Sequence, residues 1–318
     1  MSIKFKFIVF LLLNFVSPFK TIELKCKFSY KKDGYNCQAM DLKVNDNNVT
    51  ITSILKNQTD VNEKSVDVFY ILENMDIDYL PKGLQHYFPK LRIYEIVSSS
   101  LKNIRKQDFH NLNTLTALRL SHNQIEFIPE DVFATLSNLE TLDLKNNKIK
   151  TLNNKTFTNL TNLEVIKLNY NKLDTISSNL FVNNINLIEI NLSNNFLKII
   201  GFQSFTHLQN LQELYLNNNI CIDKIYRNNM KIIEIKKELI RNCKDPLEEE
   251  MIAEFNINLL EHEKSYIENR DKLNTLSIRK WTISIFLLSG TILGIIITII
   301  CKVCKKNIPV VDGSQQNH

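Results

Sequence analysis

Between Leu91 and Asn219 the apolar and polar positions recur on a fixed period of 24 residues. Counted from the first leucine of each unit, position 1 is Leu91, Leu115, Leu139, Leu163, Leu187 and Leu211. Position 6 is Ile96, Leu120, Leu144, Leu168, Leu192 and Leu216, and position 9 is Ser99 followed by Asn123, Asn147, Asn171, Asn195 and Asn219. Position 19 is Phe109, Phe133, Phe157, Phe181 and Phe205. Within "LETLDLKNN", Leu142 and Leu144 alternate with Thr141, Asp143 and Lys145, which predicts a short strand with one buried face. One coil cannot bury that face alone. Stacked coils can, as a parallel sheet with strands about 4.8 Å apart. The asparagine that follows each strand both donates and accepts, so a stacked row of them can satisfy the backbone groups freed at the turn. The phenylalanines predict a second apolar column on the opposite side.

Four features in register through five units resemble the leucine-rich-repeat family, specifically its extracellular 24-residue type with L-x-x-L-x-L-x-x-N. The resemblance implies an α/β solenoid: a curved parallel β-sheet with irregular or short helical convex segments. The array decays at its ends. Residues 67–90 read as an atypical first repeat in which Tyr70, Leu72, Ile77 and Leu80 fall in register, while Met75 and Gln85 replace the asparagine and phenylalanine. Cys221 takes position 11 of the last unit. Asn184 takes position 22, where the other units carry leucine, and the pattern gives no reason for it.

The flanks divide the chain further. Residues 1–19, two lysines before an apolar run, read as a signal peptide. Residues 20–66 are a cysteine-containing cap, 67–220 the repeats and 221–246 a second cap. Residues 247–280 follow as a helical stalk. The uncharged run 281–301 would rise about 31 Å as a helix and so span a bilayer, leaving 302–318 as a cytoplasmic tail. This plan is that of a single-pass type I plasma-membrane protein with its repeats outside. Cys26 with Cys37 and Cys221 with Cys243 form two local pairs that suit bridges in an oxidising compartment. Cys301 and Cys304, at the inner membrane edge, are palmitoylation candidates. Asn48, Asn57, Asn154, Asn159 and Asn191 stand in glycosylation sequons. Gly290, Gly294 and Thr298 share one face of the expected membrane helix and would let two copies pack as a homodimer.

Catalytic machinery is missing from the pattern: the six histidines are scattered, and no nucleophile motif, phosphate loop, metal cluster or cofactor signature is present. The net charge of +5 is spread among acids and does not make a nucleic-acid footprint. What remains is surface. The concave sheet exposes positions 3, 5, 7 and 8, and position 5 reads Glu95, Arg119, Asp143, Lys167, Asn191, Tyr215. Its acid–base alternation is expected to pair with itself. The C-terminal half, with Tyr170, Glu189, Asn194, Glu213 and Tyr215, is the expected ligand-binding patch for an extracellular protein or glycan, although Asn191 could carry a sugar in its midst. The whole plan resembles type I leucine-rich-repeat receptors, and its repeat–cysteine–helix order looks like the leucine-rich immune proteins of insects. Both imply a recognition receptor or co-receptor for protein or microbial-surface ligands. The other reading is a cell-adhesion or matrix-facing structural protein.

Overall fold

The computed structural model describes residues 20–56, 62–227, 231–245, 248, 252–253, 256–261, 264, 282–287 and 297–302. They divide into two units, 1–245 and 246–318. The first is built on an 11-stranded sheet. It opens with the antiparallel hairpin β1 (Lys20–Lys31) and β2 (Gly34–Met40), with β3 (Val49–Lys56) parallel to β1 at the outer edge. Next come β4 (Val68–Leu72), β5 (Ile93–Val97), β6 (Ala117–Arg119), β7 (Thr141–Asp143), β8 (Val165–Lys167), β10 (Glu189–Asn191) and β12 (Glu213–Tyr215), one per coil and all parallel. The pair β9 (Thr175–Ile176) and β11 (Ile199–Ile200) forms a small second ladder.

The concave strands β4 to β8, β10 and β12 are only three to five residues long because only positions 3 to 7 run extended before the chain turns. Leu118, Leu142, Ile166, Ile190 and Leu214 point inward and are fully buried. The asparagines then do what the alternation required. Asn147 donates from Nδ2 to the carbonyls of Leu120 (2.9 Å) and Leu144 (3.0 Å), and its Oδ1 accepts from Ile125 N–H at 3.0 Å. Asn123, Asn171, Asn195 and Asn219 repeat this pattern one coil apart. On the other side the phenylalanine rings stack at 5.9 to 6.3 Å between centroids. Asn184 belongs to that side. Fully buried, it donates to the carbonyls of Phe157 (2.9 Å) and Leu160 (2.8 Å), which also accept the backbone N–H groups of Leu160 and Leu163, so the amide adds a second bond to each.

The first repeat departs from expectation. Phe69 pairs with Tyr94 and Ile71 with Ile96, a spacing of 25 residues, so the strand is set one residue earlier than the 24-residue register places it. A one-residue slip exchanges the two faces. Phe69 and Ile71 are therefore buried, Tyr70 turns to the concave side, and Leu72 and Met75 are exposed. Asn74 takes the asparagine role, donating to Leu42 O at 2.8 Å. Phe88, fully buried, packs 5.7 Å from Phe69.

Both ends of this unit carry a bridge. Cys26–Cys37 joins β1 to β2, with Cα atoms 5.3 Å apart. Cys221–Cys243, at 5.1 Å, ties the last coil to helix α2 (Ile232–Asn242), the short α1 being Leu84–Tyr87. Between them β13 (Ile225–Arg227) turns back antiparallel on β12, and Ile235 and Leu239 of α2 are buried. Gly201 sits where the chain leaves β11. A Cβ there would lie 2.4 Å from the backbone nitrogen of Ser178, so only glycine fits.

In the second unit, residues 252–253, 256–261 and 264 are helical, as the stalk reading expected for part of 247–280. The membrane segment differs from its expectation. Among the described residues no helix is long and apolar enough to cross a membrane. Instead β14 (Thr282–Leu287) pairs antiparallel with β15 (Ile297–Lys302). These runs are rich in isoleucine and threonine, whose branching at Cβ favours extended backbone, and an apolar run alone does not separate helix from strand. Thr298 lies in β15 opposite Phe286, and Cys301 opposite Ile283, so Thr298 does not sit on a helix face. Gly290, Gly294 and Cys304, the signal-peptide residues 1–19 and Asn57 lie outside the described residues.

Candidate functional site

The concave face is not uniform along its columns. At position 3, Val68, Ile93 and Ala117 form a buried apolar cluster with Tyr70. Further along, the same column becomes Glu189 and Glu213, register partners on adjacent strands. Like charges placed side by side are destabilising, so this pair is a cost the fold carries. Glu213 has two compensations: it accepts the hydroxyl of Tyr215, and Arg227 of β13 is its partner on the other side. The Arg227 guanidinium also lies 5.2 Å from the centroid of the Tyr215 ring. The hydrogen bond to Glu213, followed by burial, raises the Tyr215 pKa above the usual tyrosine value. Arg227 was not legible beforehand, because it lies beyond the last repeat and no register assigns it a face.

Tyr170 and Asn194 make a second group. Position 8 takes the left-handed backbone in every coil, with φ of 53° to 57° running through Asn146, Tyr170, Asn194 and Asn218. Asparagine tolerates that geometry; a bulky aromatic does so at a cost of about 1 kcal/mol or more. Tyr170 nevertheless stands there, 51% exposed, with Lys145 Nζ 5.8 Å from its ring centroid. Asn194 accepts from Asn218 at 2.9 Å. The doubled asparagines "NN" at positions 8 and 9 were the sequence signal for this turn. The five expected residues thus fall into two groups, Glu189–Glu213–Tyr215 and Tyr170–Asn194, separated along the strands by the asparagine turn.

The expected self-pairing of position 5 holds only at its first rung. Arg119 pairs with Glu95. Asp143 instead accepts the N–H of Lys145 at 2.9 Å, and Lys167 forms no ion pair among the described residues. The strands align the Cα atoms, but the Asp143 carboxylate is held by its own turn. Of the sequons, Asn154 and Asn159 are exposed on connecting segments, while Asn48 and Asn191 are half-buried. Asn191 Oδ1 accepts from both the N–H (3.1 Å) and hydroxyl (2.7 Å) of Ser193. Among the described residues no three of His, Cys, Asp or Glu gather where a metal could be held.

At the C-terminal cap, Tyr226 donates to Glu238 Oε2 at 2.7 Å, and burial, with the Glu238 hydrogen bond, raises its pKa far above the usual value. Tyr94, fully buried, is likewise raised by burial and the nearby Asp108. Protons that the folded chain keeps are released by the unfolded chain near pH 10, the ordinary tyrosine value. Stability from these groups is therefore complete below that pH and falls as pH rises past it. Alkaline titration followed by circular dichroism should show this loss, and Tyr226→Phe should make it shallower.

The family profile described as Leucine rich repeat matches residues 89–149, 113–173, 137–195 and 161–220. Residues 89–220 are leucine-rich repeats. No curated protein matches the chain in sequence. Among solved structures, a chain of a TLR13–ssRNA13 complex is 30% identical over 48% of this chain and 22% of its own, with a TM-score of 0.46. The APL1 leucine-rich repeat domain is 18% identical over 63% of this chain and 49% of its own, with a TM-score of 0.50. The matches therefore span about a fifth and about half of those chains. The likeness to APL1 is one of fold: both stack leucine-rich repeats.

Proposed function

We propose that the leucine-rich repeats form the recognition surface of an extracellular, membrane-anchored receptor or co-receptor. Its ligand, a protein or a microbial-surface molecule, is read by the C-terminal half of the concave face. The observation that carries this reading is the change of character along the sheet. The early coils bury an apolar cluster and pair Arg119 with Glu95, whereas the later coils place Glu189 beside Glu213 and hold Tyr170 exposed in a left-handed turn. Backbone strain held at an exposed position is a mark of function, and an aromatic beside acids on a rigid sheet suits a protein surface presenting cations. The two bridges support an oxidising compartment. The uncharged run 281–301, of a length that suits a bilayer, supports a membrane anchor.

Cells displaying the full chain, offered labelled microbial surfaces and labelled cells, test the reading. Tyr215→Ala should weaken binding about tenfold, as loss of an aromatic hot spot does, and Thr141→Ala on β7 should leave it unchanged. Equal effects would move the site off this face. Clumping only among cells that all carry the protein would point to adhesion instead.

A further inference from the structure

Position 10 lies just past the asparagine turn, on the rim between the concave face and the flank. Its N–H donates to the preceding coil: Lys148 to Ile125 O at 2.9 Å, Lys172 to Ile149 O at 2.8 Å and Phe196 to Leu173 O at 2.9 Å. These side chains are therefore stacked one strand spacing apart, about 4.8 Å. Lys148 and Lys172 are neighbours in that column. Lys145 and Lys167 stand on the concave side of the same two coils, and Lys150 and Lys198 on the flank, so a charge that looks diffuse in the sequence is gathered by the coil geometry. None of these six lysines forms an ion pair among the described residues. Lys148 reaches the neutral Gln124 at 3.4 Å, and Lys145 lies near the Tyr170 ring. Lysines elsewhere on the coils do find acids: Lys102 with Asp78 (2.9 Å), Lys106 with Asp131 (3.0 Å) and Lys155 with Glu130 (3.4 Å). Asp143 is already held by the Lys145 N–H, and on the flank Lys150 and Lys198 alternate with Glu126 and Asp174 at position 12, so the like charges placed side by side are Lys148 and Lys172.

We propose that this rim, Lys145, Lys148, Lys150, Lys167, Lys172 and Lys198, binds a sulfated polysaccharide. Adjacent like charges repel, and a polyanion laid across the rungs relieves that repulsion, since cations closer than a Debye length of about 10 Å act together. The cations are all lysine. Flexible point charges suit sulfate esters spread along a chain, whereas planar, bidentate recognition would call for arginine. The two disulfides fit a compartment in which sulfated polysaccharides are the abundant polyanion.

The purified full chain should bind a heparin octasaccharide with an affinity that falls steeply with salt, and should not bind the same octasaccharide after desulfation. Lys148→Gln/Lys172→Gln should weaken binding about tenfold and flatten the salt dependence, as loss of two cation contacts does. Lys106→Gln/Lys155→Gln, on the connecting segments, should stay within about twofold. All four positions are at least partly exposed, so an unchanged thermal midpoint in both variants shows that folding is intact. Tyr215→Ala should leave heparin binding unaltered, which separates this inference from the concave-face reading. Equal weakening by both lysine pairs, salt-independent binding, no binding, or tighter binding of an RNA oligomer or of polyglutamate would each overturn it.

Discussion

Cys221→Ser is expected to lower the stability of the C-terminal coils by about 2–5 kcal/mol, the usual cost of removing a bridge from a small secreted domain. The bridge spans 22 residues and anchors more than its own loop. Cys243 is fully buried, and its carbonyl accepts from Ile200 N–H at 3.0 Å, tying the end of α2 to β11. With the sulfur link gone, α2 and β13 keep the burial of Ile235 and Leu239, the contacts of Glu238 with Tyr226 and Lys224, and one short antiparallel pairing. Stability in a solenoid is a sum of coil and neighbour terms, so the damage should be graded. Hydrogen exchange should quicken most in residues 187–243 and least before residue 115. Uniform loss of protection would mean that the array unfolds as one block and that the bridge is not a local seal.

Asn171→Leu is expected to cost about 1–3 kcal/mol. Its side chain serves three backbone groups: Leu144 O at 2.9 Å, Leu168 O at 3.0 Å and Ile149 N–H at 3.1 Å. Leu144 O keeps the Asn147 amide and Leu168 O the Asn195 amide, so Ile149 N–H is the group left unpaired; such a buried group costs about 1–3 kcal/mol, and water reaches little of this mid-array turn. Asn219, at the last coil, makes the same contacts but is half-buried, so water can replace part of what is lost. Asn219→Leu should cost about half as much or less. Urea unfolding of the two variants checks the order, and equal costs would show that the ladder is not what closes these turns.

The 24-residue period by itself determined most of this protein's fold. Apolar residues at positions 1, 4 and 6, asparagine at 9 and phenylalanine at 19 allow one way to bury every row, because a single coil has no other partner for its apolar face. The two bridges were readable for a related reason: each cysteine pair is local and flanks an end of the array. Register in the first repeat was not readable. One extra residue between Val68 and Ile93 reverses which side chains are buried, and only pairing with β5 reveals it. Asn184 needed the carbonyls of Phe157 and Leu160 brought beside it from the preceding coil. The candidate sites lay further still from the sequence. Arg227 reaches Tyr215 only because β13 folds back on β12, and the lysines of the rim, up to 53 residues apart, meet only because successive coils stack. Repetition encodes a row of identical coils; which unlike side chains become neighbours across those coils is fixed by tertiary stacking, where distance along the chain no longer measures distance in space.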